Sequence, residues 1–337
     1  MGRKVTAQDV AREAGVSAST VDRVLNNRGG VSEAKERRVF AAARRLRLDR
    51  ALDPRDARTL RVAAFVQPPS NPFHGALTAA MQAQNRGPNP FNIQIRIFHA
   101  DTARPAATAS HVRAAGADHD AVIVSLAHDD GLAQVLHGLI AAGKPVVTLA
   151  TDIRCRGAIY IGPDNTRSGR LAAELMGRFL GRDGGEVIVI AGLFDMIGQQ
   201  ERCDGFRTVL ADRFPACRIA GVFESRERGD LAGDHVFRAL RGNPEIRGIY
   251  NASAGARAVA DALSRLGRTG EVAFITHELT NDRRTLLRAG AIDAVIDQNP
   301  RLEVETALRE IAAVYRRTDA DSLPKVTPVD IFMRENC

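Results

Sequence analysis

Residues 5–32 read VTAQDVAREAGVSASTVDRVLNNRGGVS, and their punctuation decides how the chain begins. Thr6 is placed to cap a helix, with Asp9 three residues on facing the same exposed amides. Val10, Ala11 and Ala14 follow at helical spacing, and Gly15 breaks the run. Ser17 caps a second helix, Ala18–Leu25, whose Val21, Val24 and Leu25 form one apolar stripe. The loop Asn26-Asn27-Arg28-Gly29-Gly30 ends it. Ser32 then caps a third helix running to about Leu46, with Val39, Ala42, Ala43 and Leu46 inward. Two short helices joined by a glycine turn, then a third, describe a helix-turn-helix.

Charge is distributed unevenly around this segment. Of the net +7, +6 falls in residues 1–60, which hold 14 Lys and Arg against 8 Asp and Glu. A compact basic module on a neutral body implies a polyanion partner; a solvated basic tail would be lower in complexity. The second helix is too short to fold alone and is held by its neighbours, leaving one face free for a major groove about 12 Å wide. That face carries Ala18, Ser19, Asp22 and Arg23, and Arg23 is its single long cation.

The same residues resemble the DNA-binding head of the lac-repressor/galactose-repressor family over about 5–47. The shared pattern is Val-Thr, Asp-Val-Ala, Ala-Gly-Val-Ser, Thr-Val, Arg-Val and Asn, closing on Val-Ser. The resemblance implies phosphate or groove-edge contacts for Thr6, Ala7 and Gln8. It places Ser17, Ala18, Ser19, Thr20 and Arg23 on the recognition helix, and Asn26, Gly30 and Val31 in the following loop. Asp22 departs from the family's usual serine; near phosphate it needs Arg23, Arg28 or a cytosine amine. The stretch 49–58 also departs from the family's hinge helix. Pro54 disfavours helix at Asp53, leaving Leu52 or Leu60 as alternatives for the leucine that wedges the minor groove.

From Leu60 the pattern changes to apolar strand-like runs separated by amphipathic helices. The runs are Leu60–Val66, Ile93–His99, Ala121–Leu126, Pro145–Ala150 and Ala158–Ile161, then Glu186–Ala191, Arg218–Phe223, Gly248–Asn251, Val272–Thr276 and Ile292–Ile296. Repeated βα units predict parallel, doubly wound sheets, and two sets of five predict two lobes divided near Gly162-Pro163-Asp164-Asn165. Such sheets bind ligands outside the carboxyl ends of their strands. The polar residues found there are Asn71, Phe73 and His74; Ser125; Asp152; Arg202; Asn251; His277 and Glu278; and Gln298.

Nearly all of 61–337 resembles the sugar-binding domain of the same repressors, itself similar to periplasmic ribose-binding proteins. Pro69-Ser70-Asn71-Pro72-Phe73 matches the first sugar-holding loop, and Ile161-Gly162-Pro163-Asp164-Asn165 followed by Gly169 matches the crossover between lobes. Arg202 with Gly205-Phe206 matches Arg-x-x-Gly-Phe, and Asp297-Gln298-Asn299-Pro300 matches the last strand's glutamine. Ser125 lies where relatives often place asparagine. Departures occur at Ala150-Thr151-Asp152, where relatives read Asp-Arg, and at Thr276-His277-Glu278, where they read Gly-Phe/Tyr-Asp. Without tryptophan, ring stacking falls to Phe73 first.

Composition narrows the remaining classes. With 337 residues, 45% hydrophobic and 26% charged, the chain is an ordinary globular one of two or three domains. It has no apolar run of transmembrane length, no h-region at the start, and four scattered cysteines that read as reduced thiols. Gly138–Lys144 imitates a phosphate loop but ends a helix and runs into Pro145. No nucleophile motif or metal spacing is present, so no enzyme, cofactor or metal is expected. The expectation is a small all-α helix-turn-helix head (1–48), a linker (49–60) and an α/β body (61–337) with a periplasmic-binding-protein-like fold. Its lobes are expected at about 61–163 plus 297–322, and 164–296 plus 323–337. The resemblance implies a cytoplasmic homodimeric repressor that binds operator DNA, controlled by a small sugar or polyol, with no membrane partner. The alternatives are a solute-binding protein for sugar uptake and a sugar-modifying α/β enzyme.

Overall fold

The computed structural model describes residues 5–25, 30–46, 58–101, 103–318 and 324–337. They fall into a small unit holding the N-terminal helices and a large unit holding two sheets. Asn26, Arg28, Leu52 and Pro54, with most of the expected linker, lie outside the described residues.

The small unit has α1 (Ala7–Ala14), α2 (Ala18–Leu25) and α3 (Glu33–Arg45). Thr6 and Asp9 form a reciprocal capping box: Thr6 Oγ1 accepts the Asp9 amide at 3.4 Å, and Asp9 Oδ2 accepts the Thr6 amide at 3.0 Å. Gly15 ends α1 in the left-handed region at φ +62, which costs glycine little. Ser17 Oγ accepts the Thr20 amide at 3.2 Å and so caps α2. Val10, Val21, Val24, Val39 and Phe40 form the core with four alanines. Ala18, Ser19, Asp22 and Arg23 are exposed on α2, as its apolar stripe requires.

The large unit holds a five-stranded sheet ordered β2-β1-β3-β4-β5 and a six-stranded sheet ordered β11-β10-β9-β8-β6-β7. The first contains β1 (Leu60–Val66), β2 (Ile93–His99), β3 (Ala121–Ser125), β4 (Val146–Leu149) and β5 (Ile159–Ile161). The second contains β6 (Gly185–Ala191), β7 (Cys217–Glu224), β8 (Ile246–Asn251), β9 (Ala273–His277), β10 (Ala294–Asp297) and β11 (Asp330–Phe332). The central strands β1 and β3 are buried on both faces, and for that reason read as continuous apolar runs. Edge strand β2 alternates buried Ile93 and Ile95 with exposed Gln94 and Arg96. Leu60 opens β1 at 2% exposure, so it is core and not a free hinge wedge. β11 pairs antiparallel with β10, a strand the sequence reading did not include.

Helices cover the sheets: α4 (Pro72–Arg86), α5 (Pro105–Asp118) and α6 (Asp130–Ala141) in the first lobe, and α7 (Asn165–Leu180), α8 (Ile197–Arg213), α9 (Gly229–Gly242), α10 (Ala256–Arg265) and α11 (Asn281–Arg288) in the second. Helix α12 (Pro300–Val314) follows β10 of the second sheet but packs on α4 and beside β4 and β5. Gly162 pairs with Val326 in a parallel bridge where the chain passes between lobes, its amide donating to the Lys325 carbonyl at 3.2 Å and the Thr327 amide donating to the Gly162 carbonyl at 2.8 Å. Among the described residues no helix is long and apolar enough to cross a membrane.

Candidate functional site

Loops at the carboxyl ends of the strands of both sheets meet around one small cavity, of about 40 Å3. A space of that size holds a few waters. Backbone and side chains bridge the lobes beside it. The His128 amide donates to the Asp195 carbonyl at 2.9 Å, and the Gly198 amide donates to Thr151 Oγ1 at 3.0 Å.

Arg202, from the second turn of α8, is the hub of the site and only 5% exposed. Its Nε donates to Asn165 Oδ1 at 2.8 Å, and Nη1 donates to the Ala252 carbonyl at 3.2 Å and Glu278 Oε1 at 3.4 Å. Its Nη2 donates to Gln298 Oε1 at 3.1 Å. Gln298 Nε2 in turn donates to Glu278 Oε1 at 3.2 Å. These contacts draw on four of five guanidinium hydrogens and aim the fork at the cavity.

Close helix packing explains where Arg202 starts. α7 and α8 touch backbone to backbone: a Cβ at Gly169 would fall 1.9 Å from the Arg202 carbonyl oxygen, and one at Gly205 would fall 2.1 Å from that of Thr166. Phe206 stacks on Tyr250 with ring centroids 4.6 Å apart, and Tyr250 hydroxyl and His277 Nε2 are hydrogen bonded at 2.8 Å. The spacing Arg-x-x-Gly-Phe therefore combines a guanidinium at the cavity, a helix contact and a core anchor within one and a half turns.

A second cluster lies opposite. Glu227 follows β7 in a loop where Arg226 and Glu227 both adopt positive φ, +52 and +58. Such conformations cost of order 1–3 kcal/mol each and persist where the surroundings impose them. Asn71 Nδ2, from the first lobe, donates to Glu227 Oε2 at 2.9 Å. Gln199 Nε2 donates to Glu227 Oε1. Burial pushes the Glu227 carboxyl above the usual range, against the pull of Gln199. Burial likewise raises Glu278, opposed by Arg283 and Arg202.

Of the residues expected from sequence, Asn71, Phe73, His74, Ser125, Arg202 and Gln298 line this cavity. The structure does not bring Asp152, Asn251 or His277 to it. Asp152 Oδ1 accepts from Thr148 Oγ1 at 2.9 Å and the Ile153 amide at 2.8 Å, while Thr151 faces the cavity. Asn251 shapes the turn whose Ser253 and Ala254 form the wall: it accepts the Ser253 amide at 3.3 Å and donates to the Ala254 carbonyl at 3.2 Å. His277 is buried behind the wall on Tyr250, and burial holds its pKa well below normal. Its neighbour Glu278 takes the cavity position. Glu227 and Gln199 were absent from the expected set. Among the described residues no group of three His, Cys, Asp or Glu could hold a metal.

His74 supplies a pH prediction. It is 2% exposed, and its Nδ1 accepts the Gln67 amide at 3.3 Å, so the neutral ring carries its proton on Nε2. Burial first, and the charge of His99 second, push its pKa down to about 3. The unfolded ring titrates near 6.5, so below that pH the unfolded chain binds a proton the native state refuses. Stability contributed by the neutral ring is complete above about pH 6.5 and is lost as pH falls toward 3, by about 1.4 kcal/mol per pH unit. His277 acts with the same sign. His74→Gln is expected to reduce the slope of unfolding free energy against pH by that amount, measured by urea unfolding at roughly pH 7.5, 6 and 5. An unchanged slope refutes the assignment.

Comparison with known proteins adds to this geometry. The family described as "Periplasmic binding protein domain" matches residues 62–317, and that described as "Bacterial regulatory proteins, lacI family" matches residues 6–47. The chain is 28% identical over 264 residues to the maltose regulon regulatory protein MalI of Escherichia coli (strain K12), covering 74% of this chain and 72% of that one. It is 28% identical over 172 residues to the D-allose-binding periplasmic protein of the same organism, covering 51% of this chain and 53%, about half, of that relative. It is 39% identical over 84 residues to the sucrose operon repressor of Pediococcus pentosaceus, 23% of this chain and 25% of that one. Among solved structures, GanP, a glucose-galactose binding protein from Geobacillus stearothermophilus, superposes with a TM-score of 0.73 at 19% identity, covering 83% of this chain and 99% of that one. A solute binding protein from Burkholderia graminis C4D1M in complex with D-arabinose gives a TM-score of 0.74 at 20% identity, covering 83% and 97%. At these identities the structural likeness concerns the fold.

Proposed function

Because the chain belongs to the periplasmic-binding-protein domain family and carries a lacI-family DNA-binding head, we propose that it is a transcriptional repressor released from, or fixed on, operator DNA by a small sugar or polyol bound between its lobes. It is a DNA-binding regulator with a sugar-binding type of body; repression, the effector class and the residue roles are our reading. One observation carries it: a helix-turn-helix head shares a chain with an Arg202–Gln298–Glu278 network facing an interlobe cavity. The relatives named for allose binding, the maltose regulon and the sucrose operon support a carbohydrate effector.

We assign 1–48 to DNA binding, 49–60 to the linker, and 61–163 plus 297–322 and 164–296 plus 323–337 to the two lobes. Asn71, Phe73, His74, Ser125, Arg202 and Gln298 are the proposed effector contacts, joined by Glu227 and Glu278. The protein works in the cytoplasm as a homodimer, placing two heads on half-sites about one DNA turn apart. A transport role is disfavoured because the head serves no purpose in solute capture. The matched families are regulatory and solute-binding, and turnover of the effector is no part of the proposal.

Two measurements test this reading. A thermal-shift screen of sugars and polyols should find a stabiliser, since a ligand at 100 times its Kd adds about 2.7 kcal/mol. The same compound should alter binding to upstream DNA in a gel shift. A stabiliser without effect on DNA binding defeats the regulatory reading.

The head yields its own prediction. Arg23 is exposed on α2 and is assigned to read a base, with neighbouring Lys and Arg meeting phosphate. Arg23→Ala should cost about 1–3 kcal/mol on the cognate site and relax one base position, while affinity for random DNA changes little. Binding of both proteins should weaken steeply with salt. A variant that keeps its full preference for operator over random DNA removes Arg23 from the recognition role.

A further inference from the structure

We propose that the interlobe site is built for a ligand bearing an ammonium group, such as an amino sugar or an amino polyol, with Glu227 as its counter-ion. The proposal rests on the reading that a polyhydroxyl effector occupies this cavity, and narrows its class.

Two oriented side-chain amides hold Glu227. Gln199 Oε1 accepts the amides of Gly192 and Leu193, the latter at 3.1 Å, which turns its NH2 toward Glu227. Asn71 Oδ1 accepts the Phe73 amide at 3.1 Å, which turns its NH2 toward Glu227 as well. Both amides are thereby fixed as donors, one from each lobe. A side chain receiving two such donors is an acceptor, as an ionised carboxylate is. Gln199, Asn71 and the Ala254 amide leave the carboxylate a further acceptor position, and Glu227 lines the cavity.

The charge balance separates a cation from a neutral hydroxyl. Among the described residues Glu227 forms no ion pair, and the neighbouring guanidiniums are committed elsewhere. Arg226 pairs with Glu224 at 3.6 Å and Arg228 with Asp230. Arg202 and Arg283 both attend Glu278, at 3.4 and 3.7 Å. His74, which lines the cavity from the first lobe, is neutral above about pH 3. One carboxylate thus keeps two arginines in direct contact, whereas the other faces the cavity with neutral hydrogen-bond donors, the same arginines acting on it only from farther away. A hydroxyl supplies a hydrogen bond but no charge; an ammonium supplies both and offsets the cost of holding a carboxylate out of water. Burial raises the Glu227 pKa, and its hydrogen bonds and the more distant charge of Arg202 offset that only in part.

Matched pairs differing in one group test this by titration calorimetry on the full chain near pH 7. The probes are D-glucose against D-glucosamine, D-galactose against D-galactosamine, and sorbitol against 1-amino-1-deoxysorbitol, with N-acetyl-D-glucosamine as the uncharged control. The expected result is that one amine binds at least about tenfold tighter than its hydroxyl counterpart, which corresponds to 1.4 kcal/mol. Glu227→Gln should erase that difference, and the wild-type comparison decides the matter alone if the variant does not fold. A neutral member that binds as tightly as its amine, or an acetylated amine that matches the free one, overturns the ammonium proposal and leaves the cleft reading standing. Failure of every probe, with a neutral compound from the thermal-shift screen binding instead, overturns the ammonium proposal alone; failure of the screen as well overturns both.

Discussion

Arg202→Ala is expected to abolish the response to any effector and to destabilise the body by about 3–5 kcal/mol, the range for removing one partner of a buried ion pair. The guanidinium is 5% exposed and serves Asn165, Ala252, Glu278 and Gln298 at once. Its removal leaves Glu278 with Arg283 alone and orphans three oxygen acceptors in a closed site. Urea unfolding measures the stability loss, and operator binding with and without effector measures the response. Operator binding without effector should stay within a few fold wherever the variant is folded, because the head carries its own core. Arg202→Lys should keep the charge on Glu278 yet lose the fork that reaches Asn165 and Gln298, and so recover stability better than response. An Arg202→Ala protein that unfolds like the wild type and responds to effector would remove Arg202 from the centre of the site.

Gly205→Ala should be nearly as damaging without touching the cavity. Its Cβ would sit 2.1 Å from the Thr166 carbonyl oxygen, and that of Gly169→Ala 1.9 Å from the Arg202 carbonyl oxygen. Both obstacles are backbone, so α7 and α8 must separate. A loss of about 3 kcal/mol is expected, at the upper end of overpacking, together with weaker effector binding as Arg202 moves with its helix. Gly138→Ala is the contrast. Gly138 is an exposed position inside α6 with nothing within 4 Å of its would-be Cβ, so alanine should stabilise by about 0.5–1 kcal/mol. Equal effects at Gly205 and Gly138 would show that helix propensity, and not contact between helices, explains these glycines.

Much of the fold was legible because its signals are local. Caps at Thr6 and Ser17 and the break at Gly15 delimit α1 and α2, since side-chain oxygens and a left-handed glycine act on the nearest amides and carbonyls. Each of the ten expected strands lies within two residues of one observed: central parallel strands are buried on both faces and stay largely apolar, and edge strand β2 alternates. The strand β11 escaped notice: three residues after Pro328 show neither alternation nor an apolar run, and the strand exists through pairing with β10.

The candidate site divides along the same line. That Arg202 and Gln298 belong together is legible from the order of elements, since βα topology delivers residues that follow the parallel strands of one sheet to the same end of it. Which neighbour at a strand end turns inward was decided by tertiary structure. Ala150, Glu227 and Glu278 all adopt left-handed backbone, at φ +65, +58 and +58, and each reverses the alternation that a strand pattern extrapolates. Thr151 therefore replaces Asp152 at the cavity, Glu278 replaces His277, and Glu227 leaves a charge-rich surface run to face Asn71 from the other lobe. Residues other than glycine hold such conformations against a cost that is met by contacts far away in sequence. The Asn71–Glu227 hydrogen bond spans 156 positions, a distance across which no local pattern carries information.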